Sequence, residues 1–394
     1  MVPRPRIDPA QRRARLLRRH RLAVGRRTDD VVAIADDLVA LHSTDPVTVY
    51  LSAAARMRRP ALAAVDAALY GERTLLRHHA MRRTLWVLGH EAARLAHYAA
   101  TLDLLVVQRR TLLAALAGGG IDAPEAWLAD ARTAVLATLT EAGPLSAREL
   151  GRRLPRLSLP VPIGSGRSAT TQSALSRVLL VLGFEGSVLR ARPTGTWING
   201  QYRWAAAGSW VPGGLGEPLD PRAAAAGLAR RCLRAFGPLT RTDLKWWTGW
   251  TVATTGRALA DVGAVEVDLD GGPGHLLPDD LEPVPAEEPA VALLPGLDPS
   301  TMGWKERDWY LDPALAPALF DRNGNAGPTV WADGRIVGGW VQRRDGPLAV
   351  RLLADVGAEH RAAVDAAAHD LEVLLGHVRF AVRFPAPLQA ELLA

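Results

Sequence analysis

One cysteine, Cys232, in 394 residues leaves no partner for an intrachain disulfide and excludes a thiolate metal cluster. The ten histidines show neither an H-x-x-x-H pair nor a mixed Cys/His spacing suited to zinc. No run of 18 apolar residues occurs, so no membrane span is expected. The N-terminal Met1–Pro9 stretch has no apolar signal core, which makes the cytoplasm the expected location. A Gly-rich phosphate loop ending in Gly-Lys-Ser/Thr is missing, as is any flavin or dinucleotide fingerprint, and no cofactor is expected. Lysine is nearly absent: Lys245 and Lys305 stand against a large excess of arginine. The net charge of +6 suits a polyanionic partner. An arginine skew with abundant Ala and Gly is also what a GC-rich genome produces, so charge alone does not establish that partner.

What is present is a repeat. Gly143-Pro144-Leu145-Ser146-Ala147-Arg148-Glu149-Leu150 returns as Gly237-Pro238-Leu239-Thr240-Arg241-Thr242-Asp243-Leu244. Gly-Pro stops the preceding element, Ser or Thr takes the N-cap position, and the acid three residues on closes a capping box. Glu149 fits that box well and the shorter Asp243 less well. Each copy therefore opens a short helix, followed by a second helical stretch, a Gly and a hairpin pattern. That order predicts a winged helix-turn-helix, and two such modules point to a nucleic-acid partner. With that partner the cytoplasmic location becomes a nucleoid-associated one.

With 48% hydrophobic residues the chain is long enough for several compact units. The expected fold class is α+β, with tandem winged helix-turn-helix modules and a C-terminal β-rich domain. The pattern divides into an N-terminal winged-helix-like module (1–120), a second winged-helix module (121–220), a third (221–290) and the β-rich domain (291–394). In the first, helices are expected over 8–24 and from a Thr28 cap to about Leu41. An extended stretch follows over Leu75–Leu88, then helices from Glu91 to about Leu116. In the second, a helix over Thr170–Leu182 precedes strands at 187–192 and 196–204 joined by Pro193-Thr194-Gly195. In the last, Asp333-Gly334 predicts a hairpin turn, a helix spans about 358–377, and Val378–Phe384 reads as a final strand.

Several stretches resemble the winged-helix DNA glycosylases of the AlkZ and YcaQ type. They are Leu38–Arg56, Arg82-Arg83-Thr84-Leu85, Phe184–Trp204, Phe236–Trp250, Leu293–Arg307 and Val330–Trp340. Leu293–Arg307 is similar to the family's L-L-P-x-x-D…G-[YW]-[KD]-x-R pattern, and Val330–Trp340 to its v-D-G-r-v-v-G-x-W pattern. The resemblance covers nearly the whole chain. It implies tandem winged helices and a β-domain around a concave DNA channel, and a repair activity on bulky or N7-alkylated purines in duplex DNA, by a monomer. The family's catalytic signature is Q-x-Q or Q-x-D at the end of an early helix. Here that slot reads His42-Ser43-Thr44, with Asp45 one residue beyond it. A non-catalytic winged-helix DNA-binding protein and a binder of the genotoxic small molecule itself are the alternatives that this departure keeps open.

The chemistry asks little of the slot. Glycosidic hydrolysis passes through an oxocarbenium-like state and needs oriented water with negative charge beside the sugar. A purine alkylated at N7 or N3 is already cationic and leaves neutral, without a general acid. Asp45 is then the expected principal group, with His42 orienting water and Thr44 holding it. A plain structural role stands beside that reading: a turn at Asp45-Pro46, Thr44 capping a helix that starts at Pro46, and His42 as a satisfied interface histidine. Arg77, His79, Arg82 and Arg83 cluster in the extended stretch with His78 and are expected to contact DNA phosphates. A solvated strand face is the alternative. Arg167, in a Gly- and Ser-rich loop, and Arg192 are further expected DNA contacts. Trp246, Trp247 and Trp250 are expected in a core, with 246 and 250 on one helix face. Asp298, Lys305 and Arg307 read either as channel-lining residues or as a structural ion pair.

Overall fold

The computed structural model describes residues 4–164 and 170–394. The first helix, α1 (Pro9–Arg19), starts where Asp8 accepts the Gln11 N–H and Pro9 takes the first helical position. The second, α2 (Val31–Asp37), starts later than the sequence predicts: Asp30, not Thr28, is its N-cap and accepts from the Ala33 N–H. A short strand β1 (Leu41–His42), α3 (Pro46–Ala54) and α4 (Leu62–Asp66) follow. The stretch read as extended is a hairpin of β2 (Leu75–His79) and β3 (Leu85–Gly89), and β1 adds to the far edge of β3. Behind it run α5 (His90–Ala96) and α6 (Leu102–Gly118), joined by a π turn.

The repeats then produce two similar groups of elements. The first has α7 (Pro124–Ala142), α8 (Ala147–Arg153), a small hairpin of β4 (Pro160–Ile163) and β5 (Thr170–Ser173), α9 (Ala174–Glu185), and a hairpin of β6 (Val188–Pro193) and β7 (Tyr202–Ala206). A short α10 (Ala207–Trp210) ends it. Thr170 thus lies on a strand, and the helix that the sequence starts there begins at Ala174. The expected Pro-Thr-Gly turn is instead a longer loop, and Tyr202 rather than Thr196 opens the returning strand. The second group has α11 (Pro221–Phe236), α12 (Arg241–Thr248), α13 (Val252–Asp261) and a hairpin of β8 (Val265–Leu269) and β9 (Gly272–Leu276). Both capping boxes close, at Ser146–Glu149 and at Thr240–Asp243. In each copy the repeat's leucine forms an antiparallel bridge to the returning hairpin strand, Leu145 to Trp204 and Leu239 to His275. The two modules therefore share their helices, their caps and the strand contact that closes the hairpin onto them.

The C-terminal part is a four-stranded antiparallel sheet in the order β10 (Val291–Leu294), β11 (Thr329–Ala332), β12 (Arg335–Gln342), β13 (Leu348–Leu352). A one-turn helix α14 (Ala316–Leu319) lies in the long connection between the first two strands. Asp333 and Gly334 form the expected hairpin turn, both with positive φ, 48° and 75°. Helix α15 (Gly357–Leu375) covers one face of the sheet through Val364 and Leu375. The expected last strand over Val378–Phe384 does not form. The Gln342 side chain takes the place of a partner strand there, donating to the Val378 carbonyl and accepting from the Phe380 N–H. The chain then turns into α16 (Pro387–Leu393).

One core runs from Leu16 in α1 through the first sheet, α11 and α12 to Leu388 in α16. A separate core draws only on residues from Leu112 to Ala206. Trp247 belongs to the first core, 2% exposed, with Trp86 and Phe236 rings each at 5.6 Å. Gly249 caps α12 in the left-handed conformation (φ 80°), so Trp250 lies beyond the helix and not on the face of Trp246. It is buried all the same, with its indole N–H donating to the Ala99 carbonyl.

Candidate active site

The slot lies where β1 runs into α3. His42 pairs across the sheet with Trp86, and Trp86 with His78, so the three side chains form one row on one face. His42 is 4% exposed, its imidazole set edge-on to Trp86 at 4.6 Å, and its Nδ1 accepts the Thr44 N–H at 3.4 Å. Burial, then the charge of Arg82, pushes its pKa down to about 3. His42 is therefore neutral at pH 7 and has no acidic proton to give. Thr44 has a buried Oγ1 with no hydrogen-bond partner in the protein. Asp45 caps α3, its Oδ1 accepting the Val47 N–H at 3.1 Å. Burial raises the Asp45 carboxyl above its usual 3.8, against the opposing pull of Val47 and of Arg383. The helix does start at Pro46, but its N-cap is Asp45 and not Thr44, so the cap falls to the same half-buried carboxyl that is the catalytic candidate.

Helix α3, which presents Asp45, is held by a buried ion pair. Arg56 grips Asp298 with two nitrogens, at 2.8 and 2.9 Å, and both side chains are 0% exposed. Ser52 Oγ and the Ser300 N–H also donate to Asp298, at 2.6 and 2.8 Å. Burial alone would raise the Asp298 carboxyl; Arg56, Ser52 and Ser300 together hold it below 3.8. His20 closes the network through Ser300 Oγ at 2.8 Å. Of the two readings of Asp298, the structure shows the structural ion pair. Asp243 has a comparable role, its Oδ1 accepting the N–H groups of Lys305 and Glu306.

The basic stretch divides. Arg77 is 2% exposed, donates through Nε to Ser43 Oγ at 2.7 Å and also to the Tyr70 hydroxyl, and stacks on Tyr202. His79 is 8% exposed and stacks on Phe184 at 4.6 Å. Neither faces solvent, because β2 is covered by α9 and β6; the expected phosphate contacts of Arg77 and His79 are corrected to interior contacts. Arg77 instead ties Ser43, the middle residue of the slot, to the second strand. Arg82 is half-buried and Arg83 exposed, at a 3-10 turn. Arg192 is exposed, pairs with Asp66 and lies over Tyr70. Arg167 lies outside the described residues.

Sequence reasoning missed Arg383, which reaches Asp45, and the β6–β7 loop. A Cβ on Gly200 would lie 3.6 Å from Pro46 and 3.5 Å from Arg383, and Trp197 packs on Tyr50 of α3 at 5.0 Å. No sequence signal links these segments, which are far apart along the chain. Among the described residues no group of three or more His, Cys, Asp or Glu side chains is placed to hold a metal. No helix there is long and apolar enough to cross a membrane.

The buried histidines have a consequence for stability. His20, His42 and His79 are pushed down to about 3 and His97 to about 4, in each case chiefly by burial. The unfolded chain, with histidine near 6.5, then binds more protons than the folded one. Stability should be intact above about pH 6.5 and fall as the pH drops toward about 3. Urea midpoints measured from neutral to mildly acid pH check this; a midpoint that does not fall on acidification contradicts it.

Residues 35–373 match the sequence model of the family described as DNA glycosylase AlkZ-like. No curated protein matches the chain. Among solved structures, the Streptomyces sahachiroi DNA glycosylase AlkZ superposes with a TM-score of 0.68 at 22% identity, over 97% of this chain and 99% of that one. That likeness shows a shared α+β fold of helices and small antiparallel sheets. With the family model spanning most of the chain, the conclusion is that this protein belongs to the AlkZ-like DNA glycosylases, enzymes of DNA repair.

Proposed function

We propose that the enzyme hydrolyses the N-glycosidic bond of N7-alkylated or otherwise bulky purines in duplex DNA. One observation carries the substrate class: the slot's histidine is not available as a cationic acid at pH 7. His42 is buried and held neutral, its pKa pushed down to about 3, and Asp45 Oδ1 is committed to capping α3. A base that must be protonated to leave is poorly served by such a site. A base made cationic by alkylation is well served, since it departs neutral. In this reading Asp45 stabilises the oxocarbenium-like state and orients water, His42 accepts from that water or positions it, and the unpartnered Thr44 hydroxyl holds it.

The same proposal takes the two repeat modules as winged helices that hold the duplex. The matching bridges at Leu145 and Leu239 support it, since a strand between the first two helices that pairs with the wing belongs to that architecture. Arg82, Arg83 and Arg192 are the surface cations assigned to the DNA backbone, and the protein works as a monomer. Binding to a short duplex should then weaken steeply with salt, log K falling by about 0.9 per neutralised phosphate for each unit of log salt. Fluorescence anisotropy with a labelled duplex measures this. Undetectable binding at low salt contradicts the DNA reading. Tight, sequence-selective binding to undamaged duplex without base release supports a DNA-binding protein that has lost catalysis.

A further inference from the structure

Resting on that reading of DNA as substrate, we propose that Arg82, Arg83, Trp246 and Arg307 form a clamp for a backbone phosphate of the strand carrying the target purine. The residues come from three segments that fold together beside the slot. Trp246 of α12 is half-buried, and two guanidinium groups share its ring, Arg82 at 4.2 Å and Arg307 at 5.4 Å from the centroid. Arg307 is braced by its Nε donating to the Trp304 carbonyl and by the Phe320 ring at 4.5 Å. Gly249 packs against Arg82, where an added Cβ would lie 3.3 Å from Cγ.

Two cations on one indole repel each other. In an ordinary surface cluster, carboxylates relieve that repulsion. Here none does: among the described residues no ion pair involves Arg82, Arg83, Lys305 or Arg307, although Glu306 and Asp308 flank Arg307 in the chain. The Nε of Arg82 is buried with no hydrogen-bond partner. Burial, then the Arg307 charge, lowers the Arg82 pKa to about 10, which marks the guanidinium as short of counter-charge. The backbone adds to the case. Arg82 and Arg83 both adopt positive φ, 55° and 63°, a conformation costly for non-glycine residues and most often retained where a site requires it. A backbone phosphodiester, a monoanion with two non-bridging oxygens, meets all these features at once. It supplies acceptors for guanidinium forks and removes the like-charge repulsion.

The site's position fixes which phosphate is meant. Arg82 follows Met81, whose carbonyl takes the Trp86 indole N–H at 3.2 Å, and Trp86 packs against His42 at 4.6 Å, so a phosphate held by Arg82 is assigned to the nucleotide whose glycosidic bond faces the slot. Both forks lie against one indole, which restrains two intrinsically planar guanidinium groups in a way a flexible lysine pair would not.

The test is the salt dependence of binding to an undamaged short duplex, using the full chain. Arg82→Gln, Arg83→Gln and Arg307→Gln are compared with Arg222→Gln, a control of equal charge change whose arginine is paired with Asp261 away from the slot. Each clamp variant should flatten the log K against log salt slope, with about 0.9, the share of one phosphate, as the limit when the contact is lost, and the control should leave it unchanged. Arg83 is exposed, so its variant keeps the test valid if the Arg82 variant does not fold. Parental binding with a steep slope that stays unchanged in the folded clamp variants overturns the clamp and leaves the DNA reading standing. A parent that fails to bind at low salt overturns both.

Discussion

Asp45→Asn should lower single-turnover release of an N7-alkylated purine by about 10²-fold or more, while DNA affinity stays the same or rises. The substitution keeps the side-chain shape and the capping oxygen. Asn is as good an N-cap as Asp, and its amide oxygen can still accept the Val47 N–H that Asp45 Oδ1 now takes at 3.1 Å. What is lost is negative charge beside the developing oxocarbenium ion, and electrostatic stabilisation is usually the largest single contribution to catalysis. The half-buried setting strengthens that charge, because less water screens it. His42→Ala should cost less, since a neutral imidazole only orients water. The pH profile follows from the same geometry. The rate should fall as the Asp45 carboxyl is protonated, on a limb above the usual carboxylate range because burial raises that pKa. No limb should appear near 6.5, since His42 is held near 3. An Asp45→Asn protein that releases base as fast as the parent, with His42→Ala inactive, would reverse the ranking and give the leading role to the histidine.

Asp298→Ala should destabilise the fold by about 3–5 kcal/mol. The Arg56–Asp298 pair is 0% exposed on both sides, so removing the carboxylate leaves a guanidinium buried without counter-charge. Ser52 Oγ and the Ser300 N–H lose their acceptor at the same time. The pair itself is a different matter. Replacing both members with apolar residues of similar size, Arg56→Met with Asp298→Leu, should recover much of the loss, because two desolvation penalties vanish with the attraction. Denaturant midpoints for the single and double variants measure this. A single variant within about 1 kcal/mol of the parent would show that the pair does not secure α3. Because α3 carries Asp45 at its N-cap, the destabilised variant should also lose base release at temperatures where it is still folded.

Much of the fold could be read from the chain because its signals are local. Gly-Pro, a capping hydroxyl and an acid three residues on lie within one turn of helix, and both boxes close as the spacing predicts. Asp333-Gly334 likewise specifies its own turn. The misreadings arise where a distant group overrides a local pattern. Asp243 is short for a capping box, yet its carboxylate is fixed by backbone N–H groups of residues 305 and 306, which no local rule anticipates. Arg77 and His79 alternate like a solvated strand face, but Ser43, Tyr70 and Phe184 satisfy them indoors. Val378–Phe384 has a strand's composition, but the Gln342 side chain meets its backbone groups. The resemblance assigns the slot to His42-Ser43-Thr44, which the structure sets where β1 runs into α3. Its electrostatics were not legible in the chain, since the neutrality of His42 depends on burial against Trp86 and on Arg82 across the turn.

The most direct measurement is a single-turnover incubation of the protein with duplex DNA carrying one N7-methylguanine, followed by chromatography of the released material. The account predicts free N7-methylguanine and an abasic, alkali-labile strand, with Asp45→Asn releasing base about 10²-fold more slowly. Tight binding to the same duplex with no free base at any time would contradict it.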